Sequence, residues 1–264
     1  VGNEALPHLV PNEDEACSKA LERAYKKRGI NLSLGVRFAG ATQNESGVQV
    51  SLEDGTTIDA DLLLVAVGRG PSTDGMGYDE QGVAMDRGWV LVDERLRTNL
   101  PGVFAVGDIT PSLQLAHRGF QHGIFVAEEI AGEAPMPILD INIPRVTYCE
   151  PEVASVGLSE VEAIEAHGAD NITTYEYNLG GNGKSQILAT AGFIKLVQLT
   201  DGPVIGIHMV GSRLGEQVGE AQLIVNWEAH PTDVASLIHA HPTQNEAMGE
   251  AHLALAGKPL HAHA

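Results

Sequence analysis

The sequence predicts an α/β fold that closes in an α+β segment. Three observations carry that prediction. Leu62-Leu63-Leu64-Val65-Ala66-Val67 is an unbroken apolar run, as expected of a strand buried on both faces, and it ends in Gly68-Arg69-Gly70-Pro71, a turn with a bare backbone. Helical patterns at 11–29 and 116–131 flank a series of short strand patterns in the first half of the chain. Beyond a proline-rich stretch at 135–144, a strand, a hairpin and then several helical patterns follow, which is α+β order. With 264 residues the chain holds one large domain or two modest ones, each able to bury a core.

Taken in order, residues 1–10 are irregular: Glu4-Ala5-Leu6-Pro7 stands where a strand should just have ended, and Val1-Gly2-Asn3 does not read as that strand. Pro11-Asn12-Glu13-Asp14-Glu15 is a helix start with an acidic first turn. Ala16, Ala20, Leu21 and Ala24 continue at helical spacing until Lys26-Lys27-Arg28-Gly29 closes the helix. Ile30, Leu32 and Leu34 alternate as a strand. Val48, Val50 and Leu52 alternate again before the hairpin signal Glu53-Asp54-Gly55. Residues 89–92 predict a short strand and residues 103–106 a buried one ending in Gly107-Asp108. A helix is expected over 116–131, stopping at Gly132. Residues 153–157 read as a strand, and Ser159-x-x-Glu162 as a capping box opening a helix. Strands at 193–199 and 204–210 join at Asp201-Gly202, and helical patterns cover 215–227, 232–237 and 246–255. The one low-complexity piece is the His/Ala tail at 261–264.

Sixteen basic residues against 35 acidic ones give a formal charge of −19, which argues against nucleic acid or an anionic membrane surface as partner. No charge-free run is long enough to cross a bilayer, and no basic and apolar leader opens the sequence. Cys17 and Cys149 are the two cysteines, far apart and outside any CxxC, so both read as structural thiols in a reducing, cytoplasmic setting.

The chain is organised around His239-Ala-His241-Pro242-Thr243-Gln244-Asn245-Glu246. Pro242 disfavours helix at His241, while Glu246 falls in the first turn of the next helix. That spacing lets Glu246 reach back and fix the His241 tautomer, as a general acid–base histidine requires. The pair also reads as a loop histidine beside a helix-start carboxylate. His239 has no carboxylate at comparable spacing. Gly107-Asp108 sits where open α/β sheets bind ligands, with an aspartate able to accept from sugar-like hydroxyls, or it is a solvated turn. Gln114-Leu115-Ala116-His117 opens the next helix, where backbone N–H groups suit a phosphate or the polar edge of a ring. Gly68 borders a dinucleotide or makes a plain turn; Glu4 holds a ribose diol or is a surface carboxylate. His252, His261 and His263 form no metal spacing, there is no HExxH, and no metal is expected.

Five blocks fall in order: 62–71 with its Val-Gly-Arg-x-Pro, 98–108 (TNLPGVFAVGD), 114–119 (QLAHRG), 148–160 (YCEPEVASVGLSE) and 239–246 (HAHPTQNE). Together they resemble the C-terminal half of the dihydrolipoamide dehydrogenases, flavin-dependent pyridine nucleotide–disulfide oxidoreductases. The resemblance covers nearly the whole chain. It implies the end of an NAD-binding domain at 1–69, a returning segment of the FAD-binding domain at 70–137 and an α+β interface domain at 138–264. It implies that Asp108 binds the ribityl chain of FAD and that Gln114, Leu115, Ala116 and His117 line its ring, mostly by backbone. Gly68 would border NAD, Glu4 would hold its adenosine ribose, and Phe38 would stand against the adenine where the family usually has a small aliphatic residue. His241, oriented by Glu246, would be the acid–base residue entering the site of a second subunit. The partners so implied are a second copy of the chain and the lipoyl domains of 2-oxoacid dehydrogenase complexes. The family's two Gly-x-Gly-x-x-Gly turns and its Cys-x₄-Cys pair are absent from these 264 residues. The chain is therefore expected to begin inside the nicotinamide domain, to supply half an active site and to be inactive alone. The rival readings are a reductase of another disulfide or a quinone, and a non-catalytic dimerisation fragment.

Overall fold

The computed structural model describes residues 1–262, so His263 and Ala264 of the expected tail lie outside the described residues. The fold is mixed α/β, and the chain divides into two compact units: Val1–Leu63 with Pro144–Ala264, and Leu64–Ile143.

In the first unit, β1 (Gly2–Glu4) pairs in parallel with β2 (Leu32–Leu34), and α1 (Glu15–Lys27) is the crossover between them. Residues 2–4 are thus a strand after all. Three residues are too few for periodicity to show, and Asn3 spends its side chain on Ser33 O and Val36 O. Asp14 caps α1 by accepting from Ala16 N, and Lys26 and Lys27 end it as the charge pattern predicts. β3 (Phe38–Asn44), β4 (Gly47–Leu52) and β5 (Thr57–Ala60) form an antiparallel meander, with the expected turn at 53–55 between the last two. β3 gave no sequence signal because Ala39-Gly40-Ala41-Thr42 lacks alternation and the strand is largely exposed.

The second unit holds a small hairpin, β6 (Met85–Asp86) and β7 (Trp89–Val90), and α2 (Ala116–Ala131), which stops at a left-handed Gly132, φ 82°. Two strand expectations fail. Residues 62–67 form no strand, with Leu64 at 87% and Val67 at 91% exposure. Of 103–106, Phe104 alone bridges, to Arg97, before a 3₁₀ turn at Gly107–Ile109. A strand buried on both faces needs neighbours along both edges. Among the described residues no strand pairs with either run. Glu129 collects Arg95 and Arg97, and the Arg95 guanidinium lies 5.0 Å over the buried Phe125 ring.

The remainder of the first unit is an antiparallel sheet in the order β10-β11-β12-β9-β8. Its strands are β8 (Arg145–Thr147), β9 (Glu152–Gly157), β10 (Ile172–Asn178), β11 (Phe193–Leu199) and β12 (Val204–Gly211). With it go α3 (Glu160–His167), α4 (Gly183–Ile187), α5 (Leu214–Asn226), α6 (Pro231–Ala235) and α7 (Glu246–Leu255). The capping box at Ser159 and Glu162 forms as spaced. One face of the sheet packs Val156, Ile194, Leu196, Ile207 and Met209 against α5 and α7, each contributing roughly 1.5–3 kcal/mol of burial. The opposite face packs Val153, Phe193 and Val210 on Cys17 and Leu21 of α1.

That second face also carries a polar row. Register sets Lys195 between Glu176 and His208, His208 beside Ser155, and Ser155 beside Arg145. The start of α1 neutralises the row. Asp14 takes Lys195 Nζ at 2.8 and 2.9 Å, and Glu13 takes Arg145 Nε at 3.2 Å and the Ser155 hydroxyl. Glu160 binds Lys195 as well, at 2.6 Å. His208 is fully buried and donates Nε2 to Leu158 O at 2.8 Å; burial pushes its pKa down against the nearby Asp14 charge.

Candidate active site

The loop between α6 and α7 is held by several side-chain hydrogen bonds. Thr243 Oγ1 donates to Ala240 O at 2.6 Å, and Thr243 O accepts from Asn182 Nδ2 at 3.0 Å. Gln244, buried, accepts from Ser185 Oγ at 2.7 Å and donates to Ser212 O at 3.0 Å. The His241–Pro242 peptide is cis. His241 is left standing outward with 77% of its side chain exposed.

It makes the anticipated contact: Nδ1 lies 2.7 Å from Glu246 Oε1. Glu246 sits in the first turn of α7, and its other oxygen accepts from Thr243 N at 2.8 Å. Burial works to raise the Glu246 pKa, but the Thr243 N–H and the imidazole outweigh it and hold the carboxyl below its usual range. A carboxylate only accepts, so Nδ1 carries the proton and the neutral ring keeps the Nε2 lone pair for solvent or substrate. The pair can take up a proton at Nε2 and stabilise the imidazolium that results.

His239 differs from the sequence expectation. It does have a carboxylate partner: Nε2 lies 2.8 Å from Glu220 Oε1 on α5. The bond raises the His239 pKa against the effect of burial. A partner 19 positions away on another helix follows from no local spacing rule. The side chain is 13% exposed and lies against α7, where a Cβ at Gly249 would come 2.5 Å from its Nδ1.

In the second unit, Asp108 stands exposed in the 3₁₀ turn, and its carbonyl lies 3.5 Å from Gln114 Nε2. Gly107 has φ +68°, and its Cα faces Gly119 closely enough that a Cβ would touch at 3.6 Å. Leu115 is the N-cap of α2 and brings no side-chain acceptor to the first turn, where Ala116 and His117 lie. Sequence reasoning missed Arg118, the buried side chain that shapes this turn. Its guanidinium donates to Thr110 Oγ1, Leu113 O, Pro111 O and Asp140 Oδ1 at 2.7–3.2 Å. Arg118, His122 and Phe125 are buried together at helical spacing, a signal the sequence did contain. Gly68 lies in exposed loop at φ +113°.

In the first unit, Glu4 ends a parallel strand, half-buried, with Oε1 accepting from Leu6 N at 3.0 Å. Val36 N donates to Glu4 O, which brings the chain leading to the half-exposed Phe38 beside it. Among the described residues no group of three or more His, Cys, Asp or Glu side chains is placed to hold a metal ion. Cys17 and Cys149 are free thiols whose pKa values burial pushes up, so neither is set up as a reactive thiolate.

Residues 3–123 match the family model described as pyridine nucleotide-disulphide oxidoreductase, and residues 143–252 match that family's dimerisation domain. The two matched models describe an oxidoreductase domain followed by a dimerisation domain, in keeping with the mixed α/β fold. The chain is 36% identical to the dihydrolipoyl dehydrogenase of Corynebacterium glutamicum over 96% of its own length and 56% of the relative's. To one of Bacillus subtilis it is 37% identical, over 98% and 55%. The solved structure of LpdA from Mycobacterium tuberculosis superposes with a TM-score of 0.88 at 27% identity, covering 96% of this chain and 55% of that one. The chain belongs to the pyridine nucleotide–disulphide oxidoreductase family, and its resemblance to the dihydrolipoamide dehydrogenases is borne out. It spans about half the length of the curated relatives it matches.

Proposed function

We propose that the full-length protein is a flavin-dependent dihydrolipoyl dehydrogenase. It oxidises the dihydrolipoyl groups of 2-oxoacid dehydrogenase complexes with NAD⁺ as acceptor. The observation that carries this reading is the His241–Glu246 pair, a carboxylate-oriented imidazole that is largely exposed within its own chain. Such an imidazole suits a substrate presented from outside the unit. In this role Nε2 accepts the proton as the S–H bond of a dihydrolipoyl thiol breaks. The sulfur keeps the electron pair as thiolate, and Glu246 stabilises the imidazolium.

FAD and NAD are the cofactors of this reading, and the residues present suit both. Asp108 would hold the ribityl chain, and Gln114, Leu115, Ala116 and His117 would line the flavin ring at a helix start that lacks a side-chain cap. Glu4, at the carboxyl end of a parallel strand, would hold the adenosine ribose, with Phe38 against the adenine and Gly68 beside the nicotinamide end. When bound, the flavin supplies the electron relay between dithiol and nicotinamide. The segments 1–69, 70–137 and 138–264 would belong to the NAD-binding, FAD-binding and interface domains. The match to a dimerisation domain supports a homodimer in which His241 serves the partner's site. Unpaired thiols agree with a cytoplasmic setting, and no helix of the described residues is long and apolar enough to cross a membrane.

The test is steady-state turnover of dihydrolipoamide by full-length His241→Gln at equal flavin content. Loss of about 10²-fold or more is expected, the range of a missing general acid–base group. Near-normal turnover would reject the reading. A substrate panel in which another disulfide or a quinone outruns lipoamide would replace it with the related reductase.

A further inference from the structure

We infer that Glu220 is the positioning residue for His241, acting from α5 by gripping both flanks of the loop that carries it. This rests on His241 being the acid–base residue. Glu220 Oε1 binds His239 Nε2 at 2.8 Å, and Oε2 accepts from Asn245 Nδ2 at 2.6 Å. His239 stands two residues before His241, and Asn245 immediately precedes Glu246. One carboxylate thus fixes the residues on either side of the catalytic pair to the same helix. Burial would raise the Glu220 pKa, but its His239 and Asn245 bonds hold it low, so it acts as a charged acceptor for both.

The remaining anchors cannot replace it. Asn182, Ser185 and Ser212 hold Thr243 and Gln244 in the middle of the loop. Among the described residues Glu220 is the recorded hydrogen-bond partner of the His239 ring, which on its other side rests on Gly249. Without Glu220 the His239 ring can leave α7, and the 239–241 segment is then held by the Thr243 Oγ1 bond to Ala240 O, which fixes a backbone carbonyl but neither imidazole. The 2.7 Å contact between His241 Nδ1 and Glu246 then loses its fixed geometry. The neutral ring is free to place its proton on Nε2, where it can no longer accept one.

The experiment uses full-length Glu220→Ala and Glu220→Gln, with His241→Gln as reference. It reads dihydrolipoamide kcat and KM together with ¹⁵N ring shifts of His241. Glu220→Ala should lower kcat about tenfold with KM little changed, a modest case of misplacing a catalytic group. It should also move the His241 ring signals away from the Nδ1–H form. Glu220→Gln keeps an oxygen acceptor for one flank and should recover part of both effects; it carries the test if the alanine variant does not fold. Unchanged His241 ring signals in the folded variants overturn the inference, even if kcat falls, since a merely structural role lowers turnover without touching the tautomer. If His241→Gln itself turns over normally, the proposed activity fails, while the ring signals still decide what Glu220 does.

Discussion

Replacing Asp14 with asparagine removes the charge at the centre of the contact between α1 and the sheet. Asp14 is 2% exposed and accepts from Ala16 N at 2.9 Å, from Glu160 N at 3.1 Å, and twice from Lys195 Nζ. Its loss strands the Lys195 ammonium in a site where its side chain is 10% exposed. Breaking one side of a buried pair costs about 3–5 kcal/mol. Glu160, more exposed and 2.6 Å from the same Nζ, remains as a partial partner, which puts the expectation at the lower end, about 3 kcal/mol. Adding Lys195→Met removes the stranded charge, so the double variant should lose clearly less than the two single losses added together. Native-state hydrogen exchange at the β11 and β12 amides reads this within the first unit alone. A loss under about 1 kcal/mol, or strict additivity, would refute the reasoning. The sign with pH follows from both partners. Burial opposes ionisation of Asp14, yet Lys195 and the backbone donors hold its pKa below 3.8, so its stabilisation is present above that value and is lost as pH falls through the folded pKa. Burial likewise opposes the Lys195 charge, yet Asp14 and Glu160 raise its pKa above 10.5. That contribution is complete below 10.5 and disappears as pH climbs through the folded pKa.

Asp108→Ala in the full-length protein should weaken flavin retention by roughly 1.5–3 kcal/mol, about 10- to 150-fold, through loss of a charge-assisted hydrogen bond; unchanged occupancy after dialysis would remove Asp108 from the site. Ser159→Ala should destabilise the start of α3 by about 1 kcal/mol, because the hydroxyl takes the Glu162 N–H; equal urea midpoints would show the cap to be idle. Sedimentation at micromolar concentration should give a dimer, and Ile238→Glu, at a side chain 99% exposed beside the His239 loop, should shift it toward monomer. A wild-type monomer would count against the proposed homodimer.

Local chemistry was read well from the sequence wherever its cause was local. The capping box at Ser159, the left-handed stop at Gly132, the turn at 53–55 and the reach of Glu246 to His241 all depend on residues a few positions apart. The reading of 62–67 failed because a buried strand is defined by its neighbours, and apolar composition says nothing about whether they are present. β10 was missed because Thr173, Thr174 and Glu176 are exposed and its one buried side chain is Tyr177, with Tyr175 partly buried. The Glu220–His239 bond and the Arg118–Asp140 ion pair were hidden for a different reason. Their partners stand 19 and 22 positions apart, and only folding brings them together.

The polar row beneath α1 has a consequence for the order in which the molecule is made. Asp14 and Lys195 are 181 positions apart, and all of the second unit lies between them in sequence. On the ribosome, residues 64–143 are complete before β11 has been synthesised, so α1 must wait with its acidic start unsatisfied while an entire unit is extruded. Closure of the first unit is therefore a late, non-local event. The charges at Glu13 and Asp14 keep the waiting helix hydrated until Lys195 and Arg145 arrive to neutralise them.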